Sequence, residues 1–155
     1  MTTAESREAR LISILDLKKI DEDLFLGDNE SRGGFRLFGG QVLSQAVRAA
    51  YQTVKGRHVH SLHAYFLRGG IADQPVLFEV ERVRNGRSFT TRRVVAIQNG
   101  VAIFNMDLSF QIEESGFQHS DPMPNVPPPE ELEDDVEVAL SLDEVHGNMS
   151  PMAKI

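Results

Sequence analysis

The sequence SFTTRRVVAIQNGVAIFNMDLSFQI at residues 88–112 consists of two alternating runs that meet at Asn99-Gly100. In the second run, every other position from Ala102 to Ile112 is apolar, and most positions between them are polar. This period of two is typical of a half-buried β-strand. Asn-Gly supplies the positive φ angles of a type I′ turn, so the segment predicts an antiparallel hairpin with one face in a core.

A second pair, Asn85-Gly86, lies just before this segment and predicts another type I′ hairpin. The three runs would then form an antiparallel meander, within strands that occupy residues 57–112. The preceding residues 18–26 are predicted to be extended, up to a Gly-Asp-Asn turn signal.

Two helices are predicted from apolar residues at helical spacing, one at residues 6–17 and a central one at residues 40–54. In the central helix Ala46, Ala49 and Ala50 have little bulk, so another backbone can approach closely. The order of elements therefore predicts an α+β fold in which an antiparallel sheet covers one helix.

The length of 155 residues suits a single core, so we predict one domain at residues 1–115 and an acidic, proline-rich linker and truncated tail at residues 116–155. The absence of cysteine excludes disulfides, thiolate catalysis and cysteine-ligated metal. No run resembles a membrane span or a secretory signal, so we expect a soluble intracellular protein, located in the cytoplasm.

Charge is segregated along the chain. Residues 113–153 contain eleven acidic residues and no lysine or arginine, whereas residues 31–112 contain eleven lysine or arginine residues and four acidic residues. An anionic ligand is therefore expected on the middle segment. The net charge of -7 and the few aromatic residues among the arginines argue against nucleic acid as that ligand. A phosphorylated small molecule fits better.

Five strings, in order, resemble the acyl-CoA thioesterase II family: LFGGQVLSQA, HSLHAYFLR, NGRSFTTRRV, AIQNG and GFQHSDPMPNVPPPEEL. The resemblance extends from about residue 11 to residue 132, which is most of the chain. Family members have hot-dog folds, in which an antiparallel sheet wraps a central helix. The resemblance therefore implies a single hot-dog domain, in agreement with the α+β pattern.

The resemblance further implies the amino-terminal half of a double hot-dog enzyme that hydrolyses fatty acyl-CoA to free fatty acid and CoA without a cofactor. In the family, the aspartate, the threonine or serine and the glutamine that activate water lie in the second half. The chain alone is therefore expected to be weak or inactive. Alternatives are a non-catalytic module that binds acyl-CoA and a dehydratase, which would need a histidine paired with a carboxylate.

The start of the central helix, at Gly39, Gly40 and Gln41, is a candidate substrate-binding site. Backbone N–H groups at a helix amino terminus are unpaired, and glycine lets a ligand approach them. The alternative is that the glycines only turn the chain into a crowded helix.

His60 is the candidate catalytic residue, since it lies in the His-Ser string that resembles the family. Strand alternation is expected to place His58 and His60 on one face and His63 on the other. Without a third ligand these histidines predict no metal site. A structural histidine is the alternative, because no orienting partner for a general base is evident.

Four arginines, Arg84, Arg87, Arg92 and Arg93, surround the first Asn-Gly pair. Their planar forks suit phosphate groups, so Arg87 and Arg92 are predicted to bind the CoA head group. A solvated face or salt bridges are the alternative.

A lone hot-dog sheet would expose an edge, which predicts a homodimer or a higher homo-oligomer through sheet pairing.

Overall fold

The computed structural model describes residues 4–29, 36–135, 137, 138 and 141, which form an α+β architecture dominated by one six-stranded sheet. In chain order the elements are α1 (Ala4–Leu15), β1 (Lys18–Asp21), β2 (Leu24–Gly27), α2 (Gly39–Tyr51), β3 (His58–Phe66), β4 (Val76–Asn85), β5 (Phe89–Gln98) and β6 (Val101–Gln111). The strand order is β1-β2-β4-β5-β6-β3, and all neighbours are antiparallel. No described helix is long and apolar enough to cross a membrane.

The core lies between α2 and one face of the sheet. Val80, Val94 and Met106 occupy one cross-strand row of β4, β5 and β6, and all three are buried. Burial of side chains of this size stabilises the fold by about 1.5–3 kcal/mol each. The alternation in β5 and β6 is therefore confirmed, because their even-numbered residues face the core.

Helix α2 packs closely on the sheet because its buried face carries alanines. Ala46, Ala49 and Ala50 are fully buried, as their small size predicted. The helix ends at Tyr51, three residues before the predicted boundary. Val54 then donates its backbone N–H to Tyr51 at 3.2 Å in a turn that follows the helix.

Only one of the two Asn-Gly pairs adopts the expected turn. Asn99 and Gly100 have φ angles of 51° and 74°, as a type I′ turn requires. Neither Asn85 nor Gly86 has a positive φ angle, so the prediction of a type I′ turn there is wrong. A loop of three residues, 86–88, connects β4 and β5 instead. Gly86 is required by close approach, because a Cβ would lie 2.8 Å from the carbonyl oxygen of Phe89.

The extended segment predicted at residues 18–26 is a hairpin. Strands β1 and β2 pair around a turn in which Asp23 has a φ angle of 59°. The carboxylate of Asp23 accepts hydrogen bonds from the guanidinium of Arg82, the shortest at 2.8 Å. Between the two helices the chain therefore reverses direction once more than predicted, because one predicted extended segment is two strands, β1 and β2.

Strand β3 forms one edge of the sheet and contains a bulge between Val59 and Ser61. After the bulge, Ser61 pairs with Ser109 and His63 pairs with Asp107, both on the face that points away from α2. The expectation that His60 and His63 point to opposite faces is wrong, because a bulge inserts one residue and shifts the alternation.

The chain divides into two compact units between Ser115 and Gly116. In the second unit, residues 116–134 are exposed and lack regular structure apart from the 3₁₀ turn Pro129–Glu131. Beyond residue 135, only residues 137, 138 and 141 are described, so the predicted end of the tail lies outside the described residues.

Candidate functional site

An open cleft of about 410 Å³ lies beside the start of α2, next to the end of β3 and the beginning of β6. Its walls are mainly apolar, formed by Leu37, Val42, Phe66, Leu67, Ile103 and Phe104. Arg36 and Arg68 contribute the charged groups. Among the described lining residues there is no histidine, carboxylate or hydroxyl group. The cleft is thus suited to an apolar group with an anionic or polar end, and its described lining contains no proton acceptor.

Gly39 and Gly40 make room for two aromatic rings at the helix start. A Cβ on Gly39 would lie 2.9 Å from the ring of Phe66, and one on Gly40 would lie 2.5 Å from the ring of Phe38. These contacts favour the steric explanation of the glycines. Within the described residues, the N–H groups of Gly39 and Gly40 make no hydrogen bond, so a ligand has two unpaired donors to meet. Substrate binding by these residues stays a prediction.

Gln41 connects the helix start to the end of β2. Its side-chain amide donates to the Asn29 side chain at 3.0 Å. One turn later, the buried amide of Gln45 donates to the carbonyl oxygens of Ile14 and Asp28 at 3.0 and 2.8 Å. The contacts of Gln41 are therefore with the protein, and its predicted role toward substrate remains untested.

His60 lies exposed at the bulge of β3. Its Nε2 atom is hydrogen-bonded with Ser109 Oγ at 2.8 Å, and its ring contacts Phe89 with 5.6 Å between centroids. Within the described residues no carboxylate is hydrogen-bonded to His60, so the orienting partner of a general base is lacking here. The described residues also contain no group of three or more histidine, cysteine, aspartate or glutamate side chains that could hold a metal.

The arginines around the β4–β5 connection have different environments. Arg87 is exposed, and its guanidinium makes no hydrogen bond within the described part of the chain. Arg93 pairs across the strands with Glu81 at 3.5 Å and Asp107 at 3.0 Å. Salt bridges were the alternative to phosphate binding for these arginines, and Arg93 forms them. Arg87 remains a candidate for phosphate binding.

Arg92 is buried, with 2% of its surface exposed. It donates to Thr53 Oγ1 at 2.7 Å and Asn85 Oδ1 at 2.7 Å, and to the carbonyl oxygens of Thr53, Arg84 and Thr91 at 2.9–3.2 Å. Burial lowers the pKa of the Arg92 guanidinium, and the charges of two nearby arginines act in the same direction. Its donors are used inside the protein, which favours a structural role over the predicted contact with substrate.

The predicted site residues lie at two ends of the sheet. Phe104 of β6 lines the cleft, whereas Gln111 of β6 pairs with Phe89 next to the β4–β5 connection. At a rise of about 3.4 Å per residue, these positions are about 24 Å apart. His60, hydrogen-bonded to Ser109, is about 17 Å from the cleft by the same measure. A single chain therefore does not bring Gly39, His60 and Arg87 together.

Two residues outside the predicted set contribute to these regions. Phe66 is 59% exposed and lines the cleft. Arg57 lies before β3 and donates to the carbonyl oxygens of Gly86 and Arg87 at 2.8 Å. No local signal identifies such contacts, because the partners are 29 and 30 residues away.

Comparison with known proteins gives a consistent result. The sequence model of a family described as the acyl-CoA thioesterase N-terminal domain matches residues 28–111. Human acyl-coenzyme A thioesterase 8 is 48% identical over 130 residues, which cover 83% of this chain and 41% of the human protein. The chain thus spans less than half the length of this relative.

Two solved structures extend the comparison to the fold. The crystal structure of an acyl-CoA thioesterase II from Mycobacterium marinum has a TM-score of 0.70 and 46% identity, covering 78% of this chain and 46% of that one. A hot-dog protein from Alicyclobacillus acidocaldarius has a TM-score of 0.69 at 22% identity, covering 80% and 48% of the two chains. These matches confirm the expected hot-dog fold.

Proposed function

We infer the function of this chain from its family, because the chain belongs to the acyl-CoA thioesterase N-terminal domains. We propose that it is the amino-terminal hot-dog half of an enzyme that hydrolyses fatty acyl-CoA to free fatty acid and CoA. The relatives are more than twice as long as their matched part. This length supports a second half that carries the main catalytic residues.

The observation that carries this proposal is the composition of the cleft beside α2. Thioester hydrolysis needs a positioned water, a proton acceptor and donors for the developing oxyanion. The described lining offers apolar walls for an acyl chain, two arginines and the unpaired N–H of Gly39. It offers no proton acceptor. The described part of the cleft therefore suits the holding of substrate, and we propose that the acid-base group comes from the second half.

His60 cannot provide that group for the cleft of its own chain, because a general base must lie within hydrogen-bonding reach of the proton that it removes. A second copy or a second half would change the distances. If two β3 edges pair around a two-fold axis, the strands run antiparallel, so the His58 end of one lies beside the Phe66 end of the other. His60 would then lie near the neighbouring cleft.

The two edges of the sheet differ in a way that supports pairing through β3. Strand β1 has only four residues and begins with two lysines, which are features that discourage edge pairing. Strand β3 has nine residues and exposes large apolar side chains, among them Leu62, Tyr65 and Phe66. We therefore propose a homodimer or larger oligomer through β3. A monomer by light scattering at micromolar concentration would contradict this proposal.

The test of the proposed function is thiol release from medium-chain and long-chain acyl-CoA, followed with DTNB, beside calorimetric titration with CoA. We expect CoA to bind with little or no thiol release by this chain alone. Addition of the carboxyl-terminal half of a close relative should restore hydrolysis. Hydrolysis well above background by the chain alone would show that the second half is not essential, and absence of CoA binding would refute the substrate assignment.

A non-catalytic module that binds acyl-CoA is the second candidate, and the same cleft favours it because it can hold an acyl chain without a proton acceptor. The two candidates differ in the mixing experiment. Saturable binding with no hydrolysis in any mixture would support the binding module.

A further inference from the structure

The three residues between β4 and β5, Gly86, Arg87 and Ser88, form a loop whose backbone is held from one side. The Nη2 atom of Arg57 donates to the carbonyl oxygens of both Gly86 and Arg87 at 2.8 Å. The Nη1 atom of the same guanidinium donates to Thr90 Oγ1. Two consecutive carbonyl groups of the 86–88 loop thus point at one side chain.

This orientation determines where the adjoining N–H groups point. In a trans peptide the N–H is directed opposite to the C=O, and the described chain contains no cis peptide. The N–H groups of Arg87 and Ser88 are therefore directed away from Arg57. Within the described part of the chain neither makes a hydrogen bond. Two adjacent free N–H groups on the same side of a loop are the arrangement of an anion-binding nest.

The charges around the 86–88 loop also favour an anion. Arg87 is exposed, and Arg84 Nε lies 3.3 Å from the position that a Cβ on Gly86 would occupy. Arg57 lies on the other side of the loop. An acidic group also lies here, because Glu114 accepts a hydrogen bond from Ser88 Oγ at 3.3 Å. Three arginines therefore flank the loop, with this carboxylate beside them.

We propose that the 86–88 loop binds a phosphate group of CoA through Arg87 and the N–H groups of Arg87 and Ser88, and that Arg57 is the positioning residue that turns these donors outward. This inference rests on the proposed function, because CoA is the phosphorylated ligand that it supplies. Arg87 was already predicted to bind phosphate. The inference adds the backbone N–H groups of Arg87 and Ser88 as donors, and Arg57 as the residue that orients them.

The direct test is an NMR titration of the labelled chain with CoA, 3′-dephospho-CoA and inorganic pyrophosphate, following the amide resonances of Arg87 and Ser88. We expect the amide resonances of both residues to shift as the protein is saturated with CoA. Arg87→Ala should weaken CoA binding about tenfold or more, as expected for loss of a charge-assisted contact. Glu114→Gln should strengthen it. Arg93→Ala removes the same charge from a neighbouring surface and should have a smaller effect.

Arg57→Lys tests whether Arg57 acts by positioning the loop or only through its positive charge. Lysine keeps the positive charge but cannot hold two carbonyl groups and Thr90 with a planar fork. We expect Arg57→Lys to weaken CoA binding nearly as much as Arg57→Ala, and to abolish the shifts of the two loop amides. Affinity equal to that of the unchanged protein in Arg57→Lys would overturn the positioning role.

The outcomes distinguish this inference from the function on which it rests. If CoA binds but the amides of Arg87 and Ser88 do not move and Arg87→Ala binds normally, the loop site is refuted and the proposed function is unaffected. If pyrophosphate moves these amides but CoA does not bind, the loop site stands as an anion site and the proposed function fails.

Discussion

Replacement of Arg92 by alanine is expected to destabilise the domain strongly, whereas the same change at its neighbour Arg93 is expected to have little effect. Arg92 is 2% exposed and donates five hydrogen bonds. Each bond from a charged donor contributes about 1.5–3 kcal/mol, but they are not additive and loss of the buried charge offsets part. We therefore expect a decrease in the free energy of unfolding of about 3–5 kcal/mol.

Arg93 is the matched control, because its salt bridges are exposed and such pairs contribute about 0–1 kcal/mol. The measurement is urea unfolding followed by circular dichroism. At an m-value of about 1–3 kcal/mol per molar urea, a loss of about 4 kcal/mol lowers the midpoint by more than about 1 M. Equal midpoints for Arg92→Ala and Arg93→Ala would refute the argument that Arg92 is a buried structural residue.

Three further changes can be measured in the same unfolding experiment. Gln45→Leu leaves two backbone carbonyl groups without their donor, so we expect a loss of about 1–3 kcal/mol. Gly27→Ala places a Cβ 2.9 Å from the buried ring of Phe78 and should also destabilise by about 1–3 kcal/mol. Gly100→Ala forces alanine into a φ of 74° and should lose about 1 kcal/mol. Gly116→Ala meets open space and should be near neutral, so a similar loss there would contradict the two glycine arguments.

The fold could be predicted in large part from local patterns. The alternation of β5 and β6, the turn at Asn99-Gly100 and the alanines of α2 each depend on residues close in sequence, and the structure confirms them. The predictions that failed concern departures from a regular pattern. The β1–β2 reversal, the bulge in β3 and the conformation of Asn85-Gly86 have no regular periodicity to reveal them.

The candidate site was less predictable, because its geometry depends on distant pairs. Composition alone indicated an anionic ligand on the middle segment, and Arg87 and Arg92 were predicted to bind it. The alternation of β5 already places Arg92 and Arg93 on opposite faces. Their partners, however, come from distant segments: Arg92 points into the core beside Thr53, and Arg93 points outward to Asp107.

The sequence by itself thus determined the central helix, the buried faces of β5 and β6 and the family. Tertiary structure alone decided that Gly39 and Arg87 lie at opposite ends of the sheet and that Arg57 holds the 86–88 loop. The physical reason is the range of the interactions. Strand and helix periodicity arises from neighbouring residues, whereas a cleft or a buried hydrogen bond forms only when strands far apart in the chain are brought into register.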